Sequence, residues 1–203
     1  MIYAIGKFLA FFANKLYFNI KFVGTENIPQ SQSCVICSNH HSMYDPVAIA
    51  SKCHQKVHYL GKAELTRQNW FVRWIMKSVG MIPVERGNVS VTSLKKVMKV
   101  LKEDGTIGIF PEGTRVRGDK LRPEPLDGFV LFALKAKVPI LPVHIEGNFK
   151  FRGKCTITFG KPFTLDEYYG KKIKGPELKA IGNQIMDDIY AMGTPALVPE
   201  KGF

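Results

Sequence analysis

Two short segments carry the residues that could do chemistry: Asn39-His40-His41-Ser42-Met43-Tyr44-Asp45 and Phe110-Pro111-Glu112-Gly113-Thr114-Arg115. The first sets a carboxylate shortly after a histidine. Imidazole has an ordinary pKa of about 6.5, so it takes a proton near neutrality. A carboxylate on its far ring nitrogen fixes the tautomer and steadies the imidazolium that forms. Asp45 has a second reading, as the N-cap of a helix whose first position is Pro46. Neighbours at a strand end point in different directions, so only one of His40 and His41 should face Asp45, and His40 is taken as the general base. A metal held by His40 and Asp45 lacks further ligands at sensible spacing. Ser38 and Ser42 would need nucleophile, base and acid aligned within one loop, so a hydroxyl brought by the substrate is the expected nucleophile.

In the second segment Gly113 lets the backbone approach a ligand closely, and Arg115 offers a planar fork suited to phosphate or carboxylate. Arg86, in Val84-Glu85-Arg86-Gly87, adds a second fork, and Lys62, in Gly61-Lys62-Ala63, adds a third cation. Singly, such residues are more often solvated surface charges. Their common position just beyond strand ends makes them candidates for one anion clamp.

The elements that must position these residues alternate between strand and helix. The pattern predicts strands over 16–23, 34–37, 57–60, 81–84, 106–110, 138–145 and 156–159. Helices are predicted from Asp45, over 69–79, 90–101 and 128–137, and over 176–192. Leu94, Val97, Met98 and Leu101 mark the clearest helical stripe, and Leu178, Ile181, Ile185 and Ile189 the closing one. Pro139 and Pro142 place their strand at a sheet edge or beside a bulge. The expected fold class is therefore α/β, a mostly parallel or mixed sheet covered by helices on both faces. In such folds ligands bind beyond the carboxyl ends of strands, where His40 and Glu112 both fall.

The chain has 203 residues, 45% of them apolar, and no linker, so residues 16–203 read as a single domain. Twenty-nine Lys and Arg against 17 Asp and Glu give a net charge of +12. Such a surface attracts polyanions: nucleic acid, an anionic bilayer, an acidic carrier protein or a phosphorylated substrate. No interleaved basic and aromatic nucleic-acid motif is visible. Cys34 and Cys37 sit in an apolar strand whose period points them to opposite faces, which argues against a shared metal. Four scattered cysteines fit a reducing compartment.

Residues 1–15 hold an apolar run broken by Lys7, Asn14 and Lys15, too short to span a bilayer and without the start or cleavage site of a signal peptide. On a helical wheel Ile2, Ile5, Phe8, Leu9 and Phe12 share one arc, and Lys7, Ala10 and Asn14 the other. The helix either lies in a membrane interface or caps the core. The segment with Trp70, Phe71, Trp74 and Ile75 beside Arg67, Arg73 and Lys77 poses the same choice.

Four ordered motifs together resemble the glycerolipid acyltransferases, in particular the bacterial 1-acyl-glycerol-3-phosphate acyltransferases. Asn39-His40-x-Ser42-x-x-Asp45 is similar to the first family motif and Gly80-Met81-Ile82-Pro83-Val84-Glu85-Arg86 to the second. Phe110 to Arg115 matches the third, and Val138-Pro139-Ile140-Leu141-Pro142-Val143 resembles the fourth. The resemblance implies a glycerol-3-phosphate acyltransferase-like fold. It also implies acyl transfer from an acyl carrier protein or coenzyme A thioester to the hydroxyl of lysophosphatidate, with no resident cofactor or metal. His40 would be the base and Asp45 its orienting partner. Glu112, Gly113, Thr114, Arg115, Arg86 and Lys62 would hold the acceptor, and the setting would be the cytoplasmic face of a membrane. The family often carries Lys-x-Gly where this chain has Leu126-Asp127-Gly128. Other expectations are transfer to another lysophospholipid or to glycerol 3-phosphate, a metal-dependent phosphate-ester hydrolase, and a catalytically silent basic module on membranes.

Overall fold

The computed structural model describes residues 2–67, 69–84, 90–116 and 122–193. Six α-helices and seven strands follow in chain order: α1 (Ile2–Phe12), β1 (Asn19–Val23), β2 (Cys34–Ser38), α2 (Asp45–Lys52), β3 (Val57–Lys62), α3 (Trp70–Ser78), β4 (Ile82–Val84), α4 (Val91–Lys102), β5 (Thr106–Ile109), α5 (Gly128–Ala136), β6 (Ile140–Gly147), β7 (Lys154–Phe159) and α6 (Gly175–Ala191). The strands form one sheet in the order β1-β7-β6-β2-β5-β3-β4. β6, β2, β5, β3 and β4 run parallel, while β7 lies antiparallel to β6 and parallel to β1. The sheet is mixed, as expected, and its five parallel strands bring their carboxyl ends to one edge.

Period-two alternation in the central strands feeds two cores. Val35 and Cys37 of β2 pack with Val97 and Leu101 of α4, Phe129 and Phe132 of α5, and Ile185 and Ile189 of α6. Cys34 and Ile36 face the opposite side, with Ala48 and Ile49 of α2 and Leu141 and Val143 of β6. Helices thus cover both faces, and the two cysteines lie on opposite sides of the sheet. All four cysteines are buried free thiols.

Local signals account for the helix boundaries. The Asn69 side chain accepts from Val72 N at 3.0 Å, and the Ser90 hydroxyl accepts from Ser93 N at 3.1 Å, so both serve as N-caps. After α3, Gly80 takes the left-handed conformation at φ 76°.

Two expectations need correction, and the edge-or-bulge alternative for β6 is decided in favour of the bulge. Residues 16 and 17 are not part of β1: α1 runs on as a π-helix, Ala13–Tyr17, closed by Phe18 N donating to Ala13 O at 2.8 Å. The apolar residues Leu16 and Tyr17 therefore belong to a widened helical turn. β6 is not at an edge, since β7 and β2 flank it. The prolines are accommodated by a bulge instead. The pairing Val143↔Phe159 shifts to Ile140↔Phe163, which inserts one extra residue opposite Pro142. Finally, Asp45 is not an N-cap: α2 starts at Asp45, its cap residue is Tyr44, and no side chain caps the helix.

Candidate active site

β2 and β5 are adjacent parallel strands with Cys37 opposite Ile109, so His40 and Glu112 leave the sheet at equivalent positions. The two loops are joined directly. His40 N donates to Glu112 Oε2 at 2.9 Å, and Val116 N donates to His40 O at 2.8 Å. Segments far apart in sequence thus form one structure at the carboxyl edge of the sheet.

Within the first loop, Asp45 is wholly buried, and its Oδ2 is the hub. It accepts from His40 Nδ1 at 2.7 Å, His41 N at 2.7 Å and Ser42 N at 2.8 Å. With the proton on His40 Nδ1, Nε2 carries the lone pair. Among the described residues Nε2 has no hydrogen-bond partner, and the His40 side chain keeps 18% of its surface exposed. The ring stacks on Phe110 at 4.1 Å between centroids, and Phe110 in turn stacks on Tyr59 at 5.8 Å. Gly108 makes room for this pile: a Cβ there would lie 2.3 Å from the Tyr59 ring.

His41 has a different task. Its Nδ1 lies 2.9 Å from Val116 O, and its Nε2 lies 2.7 Å from Asn39 Nδ2, so both ring nitrogens are occupied. Asn39, also buried, uses its amide as a backbone mimic, donating to Ile145 O and accepting from Ile145 N, both at 2.8 Å. The loop is therefore clamped to β6 on one side and to the second loop on the other. The two histidines thus differ in their surroundings, His41 tied into the scaffold by both ring nitrogens and His40 by Nδ1 alone.

Glu112 is buried too, and both its oxygens have protein partners. Oε2 accepts from His40 N, while Oε1 accepts a hydrogen bond from the Tyr190 hydroxyl near the end of α6. Burial, then the Glu112 carboxylate beside it, push the Tyr190 phenol well above its ordinary range. Arg122 stacks over the Tyr190 ring at 5.0 Å and bonds Asp187 at 2.5 Å. Tyr190 and Arg122 carry no local signal in the sequence, because their partners lie 65 residues or more away.

The other candidate residues among those described lie at the same edge. Gly113 takes φ 62° in an exposed turn, and Thr114 and Arg115 follow it, exposed. Lys62 ends β3, also exposed. Arg86 follows β4 but lies outside the described residues. Leu126 N donates to Pro111 O at 2.8 Å, which sets Leu126 and Asp127 beside the Gly113 turn. Among the described residues no three His, Cys, Asp or Glu side chains converge to hold a metal ion.

The amphipathic helices turn their apolar sides outward. α1 and the π-helical turn after it dock through their polar arc: Lys7 Nζ of α1 bonds Cys53 O at 2.5 Å, while in the turn Asn14 Nδ2 bonds Ser51 Oγ at 2.9 Å and Asn14 Oδ1 accepts from the Tyr44 hydroxyl at 2.8 Å. Ile5, Phe8 and Phe12 are exposed, Phe8 at 63%. On α3, Trp70 is 73% exposed and Trp74 lies open beside it, so neither is a core residue. No helix among the described residues is long and apolar enough to cross a membrane.

Comparison with known proteins places this geometry. The acyltransferase family model matches residues 19–146, which include β1 to β5, both loops and all of β6 but its last residue. The 1-acyl-sn-glycerol-3-phosphate acyltransferase of Bacillus subtilis is 32% identical over 151 residues, 70% of this chain and 73% of that protein. That of Streptococcus pneumoniae is 29% identical over 183 residues, covering 86% of this chain and 66% of its own length. The crystal structure of the 1-acyl-sn-glycerophosphate acyltransferase from Thermotoga maritima superposes with a TM-score of 0.70 at 22% identity, over 94% of this chain and 79% of the other. That likeness carries the fold, and the sequence matches carry the family. A histidine with one free nitrogen, a buried carboxylate behind it and the matched span around both agree on one conclusion: the chain belongs to the acyltransferase family.

Proposed function

We propose that this acyltransferase moves an acyl group from an acyl carrier protein or coenzyme A thioester to the free hydroxyl of 1-acyl-glycerol 3-phosphate, giving phosphatidic acid. The observation that carries the reading is the 2.7 Å bond from His40 Nδ1 to buried Asp45, which leaves Nε2 without a partner among the described residues on a side chain that is 18% exposed. The acceptor is supported by the names of the relatives.

In the reaction His40 Nε2 takes the acceptor's hydroxyl proton as its oxygen attacks the thioester carbonyl carbon. The tetrahedral adduct collapses with cleavage of the carbon–sulfur bond, and the imidazolium returns the proton to the departing sulfur. Asp45 stabilises the imidazolium between these steps. Arg115, Thr114 and the Gly113 backbone, with Arg86 and Lys62, receive the phosphate. Glu112 holds the His40 backbone through one oxygen and the Tyr190 hydroxyl through the other, and its remaining lone pairs leave it able to accept a hydrogen bond from the acyl acceptor as well. The reaction as written uses the thioester as co-substrate and no other group.

An acceptor with one acyl chain resides in a bilayer. The N-terminal segment, carried by α1, is the interfacial element on the catalytic domain, and α1 and α3 set the enzyme on the cytoplasmic face as a peripheral protein. A panel of acyl-coenzyme A and acyl carrier protein donors against lysophosphatidate, other lysophospholipids and glycerol 3-phosphate tests this, with products identified by mass. Phosphatidic acid is the expected product. Acylation of a different headgroup would reassign the acceptor, and the acid at Asp127 beside the Gly113 turn makes that arm informative.

A further inference from the structure

We infer that the tip between β6 and β7, together with the π-helical turn after α1, forms a lipid-surface anchor separate from α1 and α3. Phe151 at the tip is 64% exposed, and Leu16 and Tyr17 stand exposed beside it. More than half of each of these side chains stays uncovered by the chain, and together they form an apolar patch that a bilayer interface would cover. The patch is held rigidly. Arg152 N donates to Tyr17 O at 2.8 Å, with Arg152 itself at φ 54°, and the Tyr17 and Phe151 rings meet at 5.2 Å. Tyr17 then packs on Phe18 at 4.8 Å, and Phe18 on Tyr44 at 4.6 Å and Phe149 at 5.6 Å. This aromatic ladder ends at Tyr44, the residue before Asp45.

Charge selects the occupant. Lys15, Lys150, Arg152 and Lys154 ring the apolar tip, all exposed, while segments 13–18 and 148–154 contain no acid. An apolar tip collared by cations fits an anionic lipid surface, where each cation adds to attraction and each ring enters the headgroup region. The π-helical turn follows α1 without a break, so this anchor adjoins α1 while using residues of its own. The anchor would fix the height of the His40 loop over the bilayer through the ladder to Tyr44.

The inference rests on the reading of the chain as a lysolipid acyltransferase at a membrane, and its test can fail independently. With Trp70 and Trp74 replaced by phenylalanine, Phe151→Trp leaves a single reporter. On adding vesicles of phosphatidylcholine with phosphatidylglycerol, its emission should shift to the blue and be quenched by lipids brominated near the headgroup. Phe151→Ala should lower vesicle binding about tenfold, and Lys150→Gln with Arg152→Gln should lower it several-fold at low salt. Turnover of detergent-dispersed lysophosphatidate should be unchanged in these variants. Vesicle-bound Phe151→Trp protein whose reporter emission does not move would overturn the anchor while leaving the acyl-transfer reading intact. Loss of turnover on dispersed acceptor in Phe151→Ala would also overturn it, since the tip would then serve the reaction itself.

Discussion

Replacing Asp45 by asparagine separates the two roles this residue could have. If it merely capped α2, asparagine would serve nearly as well. The structure makes a different demand. Oδ2 accepts three N–H donors between 2.7 and 2.8 Å, so the amide oxygen of an asparagine must stay in that place. Its NH2 group then falls where Oδ1 lies, a buried position without a protein hydrogen-bond partner. An orphaned donor there costs about 1–3 kcal/mol. For a chain of this size that corresponds to a fall in Tm of roughly 4–8 °C around a midpoint of about 2 kcal/mol. The flipped amide is worse, because its N–H groups would face those of His41 and Ser42. The fold persists, but the imidazolium loses its ionic partner, and kcat should drop by about two to four orders of magnitude with the acceptor KM little changed. Thermal melts followed by circular dichroism and thiol-release kinetics give both numbers. A folded variant with full kcat would refute the orienting role.

Glu112 should depend more on its hydrogen bonds than on its charge. Glu112→Gln can still accept from His40 N and donate to the Tyr190 oxygen, so its activity should stay within about tenfold of wild type while Glu112→Ala falls much further, as steady-state kinetics will report. Tyr190→Phe leaves Glu112 Oε1 unpaired and should cost about 1–3 kcal/mol in urea unfolding together with a several-fold loss of kcat. Phe8→Ser with Phe12→Ser should weaken sedimentation with anionic vesicles without lowering Tm, because both side chains are exposed, and the remaining binding should weaken with salt. Burial raises the Cys34 thiol to about 11 and Cys53 to about 12, so neither should react with a thiol reagent at pH 8 until urea unfolds the chain. The native state holds those protons more tightly than the unfolded chain. Their contribution to stability is therefore complete below about pH 8.5 and lost as pH rises through 11 to 12, which alkaline denaturation curves will show.

Much of this was legible in the sequence because it is local. The stripe through Val97 and Leu101, the caps at Asn69 and Ser90, and the pairing of His40 with Asp45 each lie within a few residues. The choice of His40 over His41 followed from alternation at a strand end, and it agrees with the occupied nitrogens of His41. What the sequence hid is long-range. Tyr190 lies off the closing helix's apolar stripe, and nothing near it points to Glu112. The amide of Asn39 bridging to Ile145 is equally silent. Pro139 and Pro142 suggested either an edge or a bulge because proline lacks a donor, and only the long-range pairing with β7 decides for the bulge. Leu16 and Tyr17 precede an alternating stretch and read as its start, but they sit in the π-helical turn that continues α1.

The most direct test of the account is acceptor-dependent thiol release from an acyl thioester by wild-type protein and by His40→Ala, with equal folding verified by circular dichroism. The account predicts release that needs lysophosphatidate and falls at least a thousandfold in His40→Ala, with vesicle binding retained. Undiminished release by that variant, or no acceptor-dependent release by the wild type with either donor, would contradict it.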